Sequence, residues 1–289
     1  MKTEAPSLRK LSEWLDWGAR ELAFLDESEA RRECEAMIGA LLGTSRIELY
    51  LQRESDPGIL PQFSEWVRAR QQRVPLAYLL KRAFFWDDEF EVEEGVFIPR
   101  PDTETLIEAF LAIGGHGTQS SFRFLDLGTG SGNIAVTVAK LFPQSTGVGT
   151  DISRQAVSVA QRNGERAGIS ERIQWVEADG LRPFAGENFD VIFSNPPYVA
   201  TGDLETIQAE VRREPQRALD GGRDGLDFYR RIFEELSSLR CGGSLWVEIG
   251  EGERLSVLAL FEKRGFQKTA TFKDLHGISR VIGGIGFHG

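Results

Sequence analysis

Three glycines at alternate positions, Gly128, Gly130 and Gly132, stand between the apolar run Phe122–Leu127 and the amphipathic run Ile134–Leu141. Glycine enters left-handed backbone angles without a Cβ penalty, so this spacing predicts a sharp turn from a strand into a helix. The same lack of side chains lets a ligand come close to the turn's backbone. No Gly-Lys-Ser/Thr closes the segment, so it is not a phosphate-cradling nucleotide loop. Its third glycine comes two residues after the second and not three, which fits the dinucleotide pattern poorly.

Beyond the turn the chain repeats the strand–helix theme. Gly147–Thr150, Ile173–Glu177, Phe189–Phe193 and Ser244–Ile249 read as strands, with helices over Gln155–Ala167, Phe228–Leu239 and Arg254–Arg264. Phe266–Phe272 and Ser279–Ile285 close the chain as two strands with a short connection. The pattern predicts an α/β fold with a mostly parallel sheet, helices on both faces and a final antiparallel pair.

Residues 1 to about 80 read differently, as helix after helix. Leu8, Leu11, Trp14 and Leu15 recur at helical spacing, as do Cys34, Met37, Ile38 and Leu41. Asp26 or Ser28 caps the second helix without a full capping box, because Arg31 stands where an acid or amide would be needed. Ser55-Asp56-Pro57-Gly58 signals a turn, and Phe63, Trp66 and Val67 begin another helix. Trp14, Trp17 and Trp66 are assigned to the bundle core. From Phe84 to Ile98 the period shifts to alternation, as in a β-hairpin connector. Pro99-Arg100-Pro101 stops it, and Asp102 or Thr103 caps a helix over Glu104–Ile113. The expected organisation is a helical domain at 1–83, a hairpin linker at 84–100 and a sheet domain at 101–289.

Acidic residues mark the strand ends. Asp126, beside the glycine turn, would repel a pyrophosphate and suit a cationic or amine-bearing ligand. Asp151 is placed to accept from ribose hydroxyls, and Asp179 from an adenine amino group. Three such acids around a glycine turn describe an adenosine pocket without phosphates, which suits S-adenosylmethionine with its ammonium and sulfonium. The plainer reading is a structural turn whose neighbouring acids cap helices.

The strand Phe189–Ser194 runs directly into Asn195-Pro196-Pro197-Tyr198. Two prolines remove two N–H donors and leave their carbonyls free to accept. Asn195 adds a side-chain acceptor and Tyr198 a flat face. Such a set would hold a planar amino group attached to a π-system and draw its nitrogen toward the sp3-like geometry of attack. No strong base is needed, since the proton can leave after the nitrogen is methylated. The plainer reading is a rigid Pro-Pro turn.

Composition then narrows the partners. With 34 Lys and Arg against 44 Asp and Glu the net charge is −10, so generic nucleic-acid binding is disfavoured. Arg68, Arg70, Arg73, Lys81 and Arg82 read as a solvated face. The two cysteines, Cys34 and Cys241, are far apart, and His116, His276 and His288 have no metal-ligand spacing, so reduced thiols and no metal are expected. No signal-peptide core or membrane span is evident, and the expected location is the cytoplasm.

In combination, Asp126-Leu-Gly-Thr-Gly-Ser-Gly132 and Asn195-Pro-Pro-Tyr198 resemble class I methyltransferases that act on amino nitrogens. Phe97-Ile-Pro-Arg-Pro-Asp-Thr-Glu104 is similar to the signature of the HemK/PrmC family, as are Pro75-Leu-Ala-Tyr78, Glu214-Pro215 and Ala218-Leu219. The resemblance runs from about Arg73 to Arg280. It implies a Rossmann-like class I methyltransferase sheet, and transfer of methyl from S-adenosylmethionine to the glutamine amide nitrogen in the Gly-Gly-Gln loop of class I peptide chain release factors. By the same resemblance Asp126, Gly128, Thr129, Gly130, Ser131, Gly132, Asp151, Asp179, Gly180 and Asn195 would bind cofactor. Asn195, Pro196 and Tyr198 would be catalytic, and Arg100, Asn195, Pro196, Pro197, Tyr198 and Glu214 would hold the substrate. The helical domain would help dock the release factor, with the chain acting as a monomer and without DNA. Three positions depart from the family pattern: Gly180 replaces a frequent aromatic, Trp86-Asp87-Asp88 replaces a connector glycine, and Glu253 replaces a common glutamine. The alternatives are a DNA or RNA adenine-N6 methyltransferase, which must extrude its base and usually needs a basic groove, and a non-catalytic scaffold, which would not need an intact Asn-Pro-Pro-Tyr loop.

Overall fold

The computed structural model describes residues 10–51 and 57–289; Leu8 and the Ser55-Asp56 half of the expected turn lie outside them. The chain divides into two compact units, Met1–Lys81 with Ala209–Arg213, and Arg82–Gln208 with Glu214–Gly289.

The first unit holds α1 (Leu11–Glu21), α2 (Glu27–Leu42), α3 (Arg46–Leu51), α4 (Leu60–Gln71) and α5 (Leu76–Leu80). Leu11, Trp14, Leu15, Trp17 and Gly18 of α1 turn one stripe inward, against Cys34, Met37 and Ile38 of α2 and Phe63 and Val67 of α4. A Cβ at Gly18 would lie 2.7 Å from Cys34 Sγ and 2.8 Å from the Phe63 ring, so the absence of a side chain lets these helices close. Asp26 is the cap of α2, accepting from the Glu29 N–H at 2.8 Å, while Ser28 donates to it. The expected solvated basic face is corrected at Arg70. Its side chain is buried and binds both oxygens of Glu33 at 2.7 and 2.9 Å. Arg73 pairs with Glu210 at 3.0 Å, which ties the Ala209–Arg213 segment into this unit.

The second unit opens with an antiparallel hairpin of β1 (Arg82–Phe85) and β2 (Asp88–Glu91). Trp86 turns it at φ +56°, a left-handed angle usual for glycine, and Glu104 Oε1 accepts from its N–H at 2.7 Å. After α6 (Glu104–Ile113) come β3 (Arg123–Leu127), α7 (Asn133–Leu141), β4 (Thr146–Asp151), α8 (Arg154–Arg166), β5 (Ile173–Glu177) and β6 (Phe189–Ser194). The chain ends through α9 (Asp227–Glu234), β7 (Leu239–Glu248), α10 (Arg254–Arg264), β8 (Phe266–Lys273) and β9 (Ser279–Phe287).

These seven strands form one sheet in the order β5-β4-β3-β6-β7-β9-β8. All are parallel except β9, which runs antiparallel between β7 and β8. Two apolar clusters cover its faces, one around Phe110, Phe124, Phe193 and Trp246, the other around Leu125, Ile192, Tyr229 and Phe261. β7 starts five residues before the expected Ser244, and α9 ends at Glu234 and not at Leu239. Gly242 and Gly243 lie inside β7, where its pairing with β6 shifts register. Beyond α9, Glu235 leaves the helical pattern and accepts from the Leu181 N–H at 2.8 Å.

Trp175 on β5 occupies a slot lined by Gly132, Gly149 and Gly164. A Cβ at Gly132 would come 3.1 Å from its ring and one at Gly164 2.9 Å, while one at Gly149 would be closer still. β3 is the first strand of this sheet, and the chain builds outward from it to β5, then returns to its other side at β6. That reversal opens a crevice at the carboxyl ends of β3 and β6.

Candidate active site

The glycine turn sits on one side of this crevice. Gly128, Gly130 and Gly132 have φ of +74°, +55° and +83°, as their sequence spacing requires. Thr150 O accepts from the N–H groups of Gly128 and Thr129 at 2.9 and 2.8 Å, which pins the turn to β4. A Cβ at Gly130 would meet nothing within 4 Å, and one at Gly128 only the Asn195 carbonyl oxygen, at 4.0 Å. Gly132 differs: a Cβ there would press on Ala160 at 3.0 Å, so its freedom serves packing of the turn onto α8.

The strand-end acids do double service. Asp126 is fully buried, and its Oδ2 accepts from Thr129 Oγ1 at 2.6 Å and from the Ala135 N–H at 3.1 Å, which satisfies one orphan donor of α7. Its Oδ1 has no partner among the described residues. Burial pushes this carboxyl up to about 7. Asp151 accepts from Gly130 N–H at 3.0 Å and Ser153 N–H at 2.8 Å, and burial raises it as well. The plainer reading of helix-capping acids is therefore half right, because each carboxylate retains lone pairs. Thr129 turns its hydroxyl inward to Asp126, and Ser131 is buried with its hydroxyl unpartnered.

Asn195 leaves β6 directly beside the turn, since Leu127 pairs with Ser194 across β3 and β6. Its Nδ2 donates to Thr103 Oγ1 at 3.0 Å, and no donor among the described residues meets its Oδ1. Thr103 thus serves Asn195 and gives no side-chain cap to α6. Pro196 is buried, while Pro197 and Tyr198 are half-buried. Tyr198 donates to Glu248 Oε1 at 3.3 Å, and burial beside that carboxylate raises its phenol. Val199 continues the loop into a bridge with Asp220, through N–H bonds to Leu219 O and from Gly221, both at 2.8 Å.

Other expected site residues are engaged elsewhere. Glu214 is buried, accepts from Ile98 N–H at 3.0 Å and forms an ion pair with Arg100. Both belong to one clamp on the Phe97–Arg100 segment and neither offers a free charge. Asp179 is exposed and bound by Arg231 at 2.5 Å, with Arg231 also donating to the Asp179 carbonyl. Gly180 has φ +72°, and a Cβ there would collide with Arg231 and Glu235. Arg231 and Glu235 thus occupy the space that a side chain at position 180 would enter. Glu253, in the place of the family glutamine, accepts from Gly250 N–H at 2.8 Å and Tyr229 OH at 3.2 Å.

Residues 13–80 match the model of the PrmC N-terminal domain, and residues 100–223 that of the methyltransferase small domain. The chain is 41% identical to the release factor glutamine methyltransferase of Geobacter sulfurreducens, covering 98% of this chain and 99% of that one. The chain belongs to the release factor glutamine methyltransferase family. A second member, from Caulobacter vibrioides, is 34% identical over 88% of each chain. Among solved structures, the hMettl16 catalytic domain in complex with the MAT2A 3'UTR hairpin 6 superposes with a TM-score of 0.55 at 18% identity, over 68% of this chain and 75% of that one. A methyltransferase from Pyrococcus furiosus gives 0.50 at 19% identity, over 68% and 88%. Those two likenesses confirm the class I methyltransferase sheet.

As a member of this family the chain is a methyltransferase that uses S-adenosylmethionine. The residues present fit that group: a buried, unpartnered carboxylate oxygen on Asp126, an acceptor on Asp151, and open space over Gly128 and Gly130. Among the described residues there is no cluster of three or more His, Cys, Asp or Glu side chains placed to hold a metal, and no helix long and apolar enough to cross a membrane.

Sequence reasoning passed over Thr103 as more than a cap, and passed over Glu248 entirely. The strand-end rule that found Asp126, Asp151 and Asp179 applies equally to Glu248. It was hidden because the strand was read as running on to Ile249, which made Glu248 look like a strand interior.

Proposed function

We propose that this chain methylates the side-chain amide nitrogen of the glutamine in the Gly-Gly-Gln loop of class I release factors, with Asn195 as the acceptor that holds that amide. The observation that carries the assignment is the anchoring of Asn195 Nδ2 on Thr103, which turns Oδ1 the other way at the switch point beside Gly128. Asn195 Oδ1 and the Pro196 carbonyl accept from the substrate NH2, and the Tyr198 ring flanks its plane. Asp126 and Asp151 hold the ammonium and ribose of the cofactor, with Gly128 to Gly132 forming the floor. Bound S-adenosylmethionine supplies an electrophilic methyl carbon.

An amide nitrogen is a weak nucleophile because its lone pair is delocalised. Two acceptors that pull its protons out of plane raise its reactivity and align it for attack. The excess proton leaves along the hydrogen bond to Asn195 Oδ1 and passes to water. A base stronger than an amide oxygen is not required.

The helical unit recognises the release factor, and the enzyme works as a cytoplasmic monomer without DNA. The acidic balance of the chain supports the last point, since a base-extruding enzyme draws on Lys and Arg to hold phosphates. A tritium-transfer assay tests the whole reading by comparing a release factor, its Gln→Ala loop variant and duplex DNA. Label on the release factor alone is the expected outcome. Label on DNA, or equal label on the Gln→Ala variant, overturns it.

A further inference from the structure

The two halves of the glycine turn are held by different partners. The front half, Gly128 to Gly130, is fixed by Thr150 O and by Asp151. The back half is met from behind by Asn163, a buried residue of α8. Asn163 Nδ2 donates to Ser131 O at 2.9 Å and to Glu91 O at 3.0 Å, and its Oδ1 accepts from the Glu91 N–H at 2.8 Å. One amide thus joins the turn to β2 of the hairpin. It sits on a face of α8 that also sets Ala160 against Gly132 and Gly164 beside Trp175.

The chemistry of this contact selects the side chain. Two carbonyls and one N–H converge on it, which calls for two donors and one acceptor on a single planar group. A primary amide supplies that set, and the three partners settle which end of it is nitrogen. An aspartate would keep the Glu91 N–H bond and turn lone pairs on both carbonyls. An alanine would leave all three buried groups without this partner. The hairpin side of the contact is reinforced. Arg162, the residue before Asn163, donates to Glu91 Oε1 at 2.8 Å and pairs with Glu93 at 3.3 Å, and Gln155 donates to Glu94 O at 2.8 Å. The hairpin and the residues after it are therefore laid along α8, and Asn163 carries their position through to Ser131.

We propose that Asn163 is a positioning residue for S-adenosylmethionine, fixing the back half of the glycine turn by tying Ser131 to Glu91 of the hairpin. The inference rests on the reading of that turn as the floor of the cofactor pocket. Gly128 and Gly130 leave open space over the turn, so a cofactor lying there meets backbone. A backbone contact has no rotamer with which to follow a shifted ligand, so its strength depends on what holds the turn in place. The Ser131 hydroxyl is buried and has no partner among the described residues, which leaves the carbonyl bond to Asn163 as the tether at that position. Asn163 stands behind the turn and acts on the cofactor only through it. Its loss should therefore fall on cofactor affinity, and spare the step in which the methyl group moves.

Asn163→Ala and Asn163→Asp test this by calorimetry with S-adenosylmethionine and by single-turnover transfer to a release factor. Both variants should bind S-adenosylmethionine about tenfold more weakly. Their transfer rates at saturating cofactor should stay within about twofold of wild type. Asn163→Asp is the sharper probe, because it retains the Glu91 N–H bond and loses the one to Ser131. A role in folding alone would lower Tm and leave the affinity of the folded molecules unchanged. A readout that needs no substitution comes from 15N-asparagine labelling, since the chain has four asparagines. The Asn163 side-chain protons should exchange with solvent about tenfold more slowly once S-adenosylmethionine is bound, a result that stands even if the variants fail to fold. Full affinity in either variant, or an exchange rate indifferent to S-adenosylmethionine, overturns the proposal. Asp151→Ala separates the two levels: if it weakens binding while Asn163→Ala does not, only this inference falls. Unchanged affinity in Asp151→Ala and Asn163→Ala alike would remove the pocket reading, and the proposal with it.

Discussion

The two sides of the crevice use buried carboxylates in different ways. On the β3–β4 side, Asp151 accepts from the backbone N–H groups of Gly130 and Ser153, and Asp126 from the Ala135 N–H and the Thr129 hydroxyl. On the β6–β7 side, Glu248 accepts from the hydroxyl of Tyr198, which rotates, and its Oε2 has no hydrogen-bond partner among the described residues. Backbone donors are fixed once the sheet forms, whereas hydroxyl donors follow the proton inventory around them. Both sides thus bury a carboxyl that is pushed up to about 7, and only the cofactor side also fixes its acids through backbone donors.

The sharpest break of this contrast is Asn195→Ala, which should lower kcat by about 10²–10³-fold while leaving S-adenosylmethionine affinity intact. Single-turnover rates with a separate binding isotherm check it, and a matching loss of cofactor affinity would merge the two sides. Asp151→Ala should do the converse, weakening cofactor binding by about 1–3 kcal/mol as a charge-assisted hydrogen-bond partner is lost. Calorimetry with unchanged affinity would take Asp151 out of the site.

Gly132→Ala probes the rigidity itself. A left-handed φ of +83° and Ala160 at 3.0 Å from the new Cβ should destabilise the fold by about 1–3 kcal/mol, read by urea denaturation. Gly130→Ala, with open space around its Cβ, meets only the backbone strain and should cost less.

The smallest effect concerns pH. Burial raises both Asp126 and Glu248 to about 7, so their protonated forms are favoured on folding. Their contribution to stability is complete below the ordinary carboxylate range and is lost as pH rises through about 7. Wild-type Tm should decline by a few degrees over that window, and Asp126→Asn with Glu248→Gln should flatten the curve. An unaltered slope in the double variant would mean that other groups set it.

Features written in local chemistry were legible in the sequence. The glycine turn, the Asp26 cap and the order of strands and helices all follow from neighbours along the chain. What escaped depends on distant partners. Arg70 looked like a solvated cation until Glu33, on another helix, enclosed it. The start of β7 was masked because its Leu239 pairs with Phe189 of β6 before the register shifts to Val191–Ser244, leaving Gly242 and Gly243 in between. That Arg100 and Glu214 bind each other also escaped, because nothing in the sequence says so. Thr103 as the partner of Asn195, and Glu248 as the partner of Tyr198, escaped because only the fold brings those pairs together.

Trp175 carries a consequence for how this sequence can drift. One indole stands in for the side chains missing at Gly132, Gly149 and Gly164, which lie on three separate elements. A methyl group gained at Gly149 or Gly164 meets that indole first, one at Gly132 also meets Ala160, and a smaller residue at 175 leaves a groove that no single alanine refills. The four positions must therefore change in concert or stay as they are. Because Gly132 also ends the cofactor turn, lineages that trade the indole for another packing solution must rebuild the back of that turn at the same time.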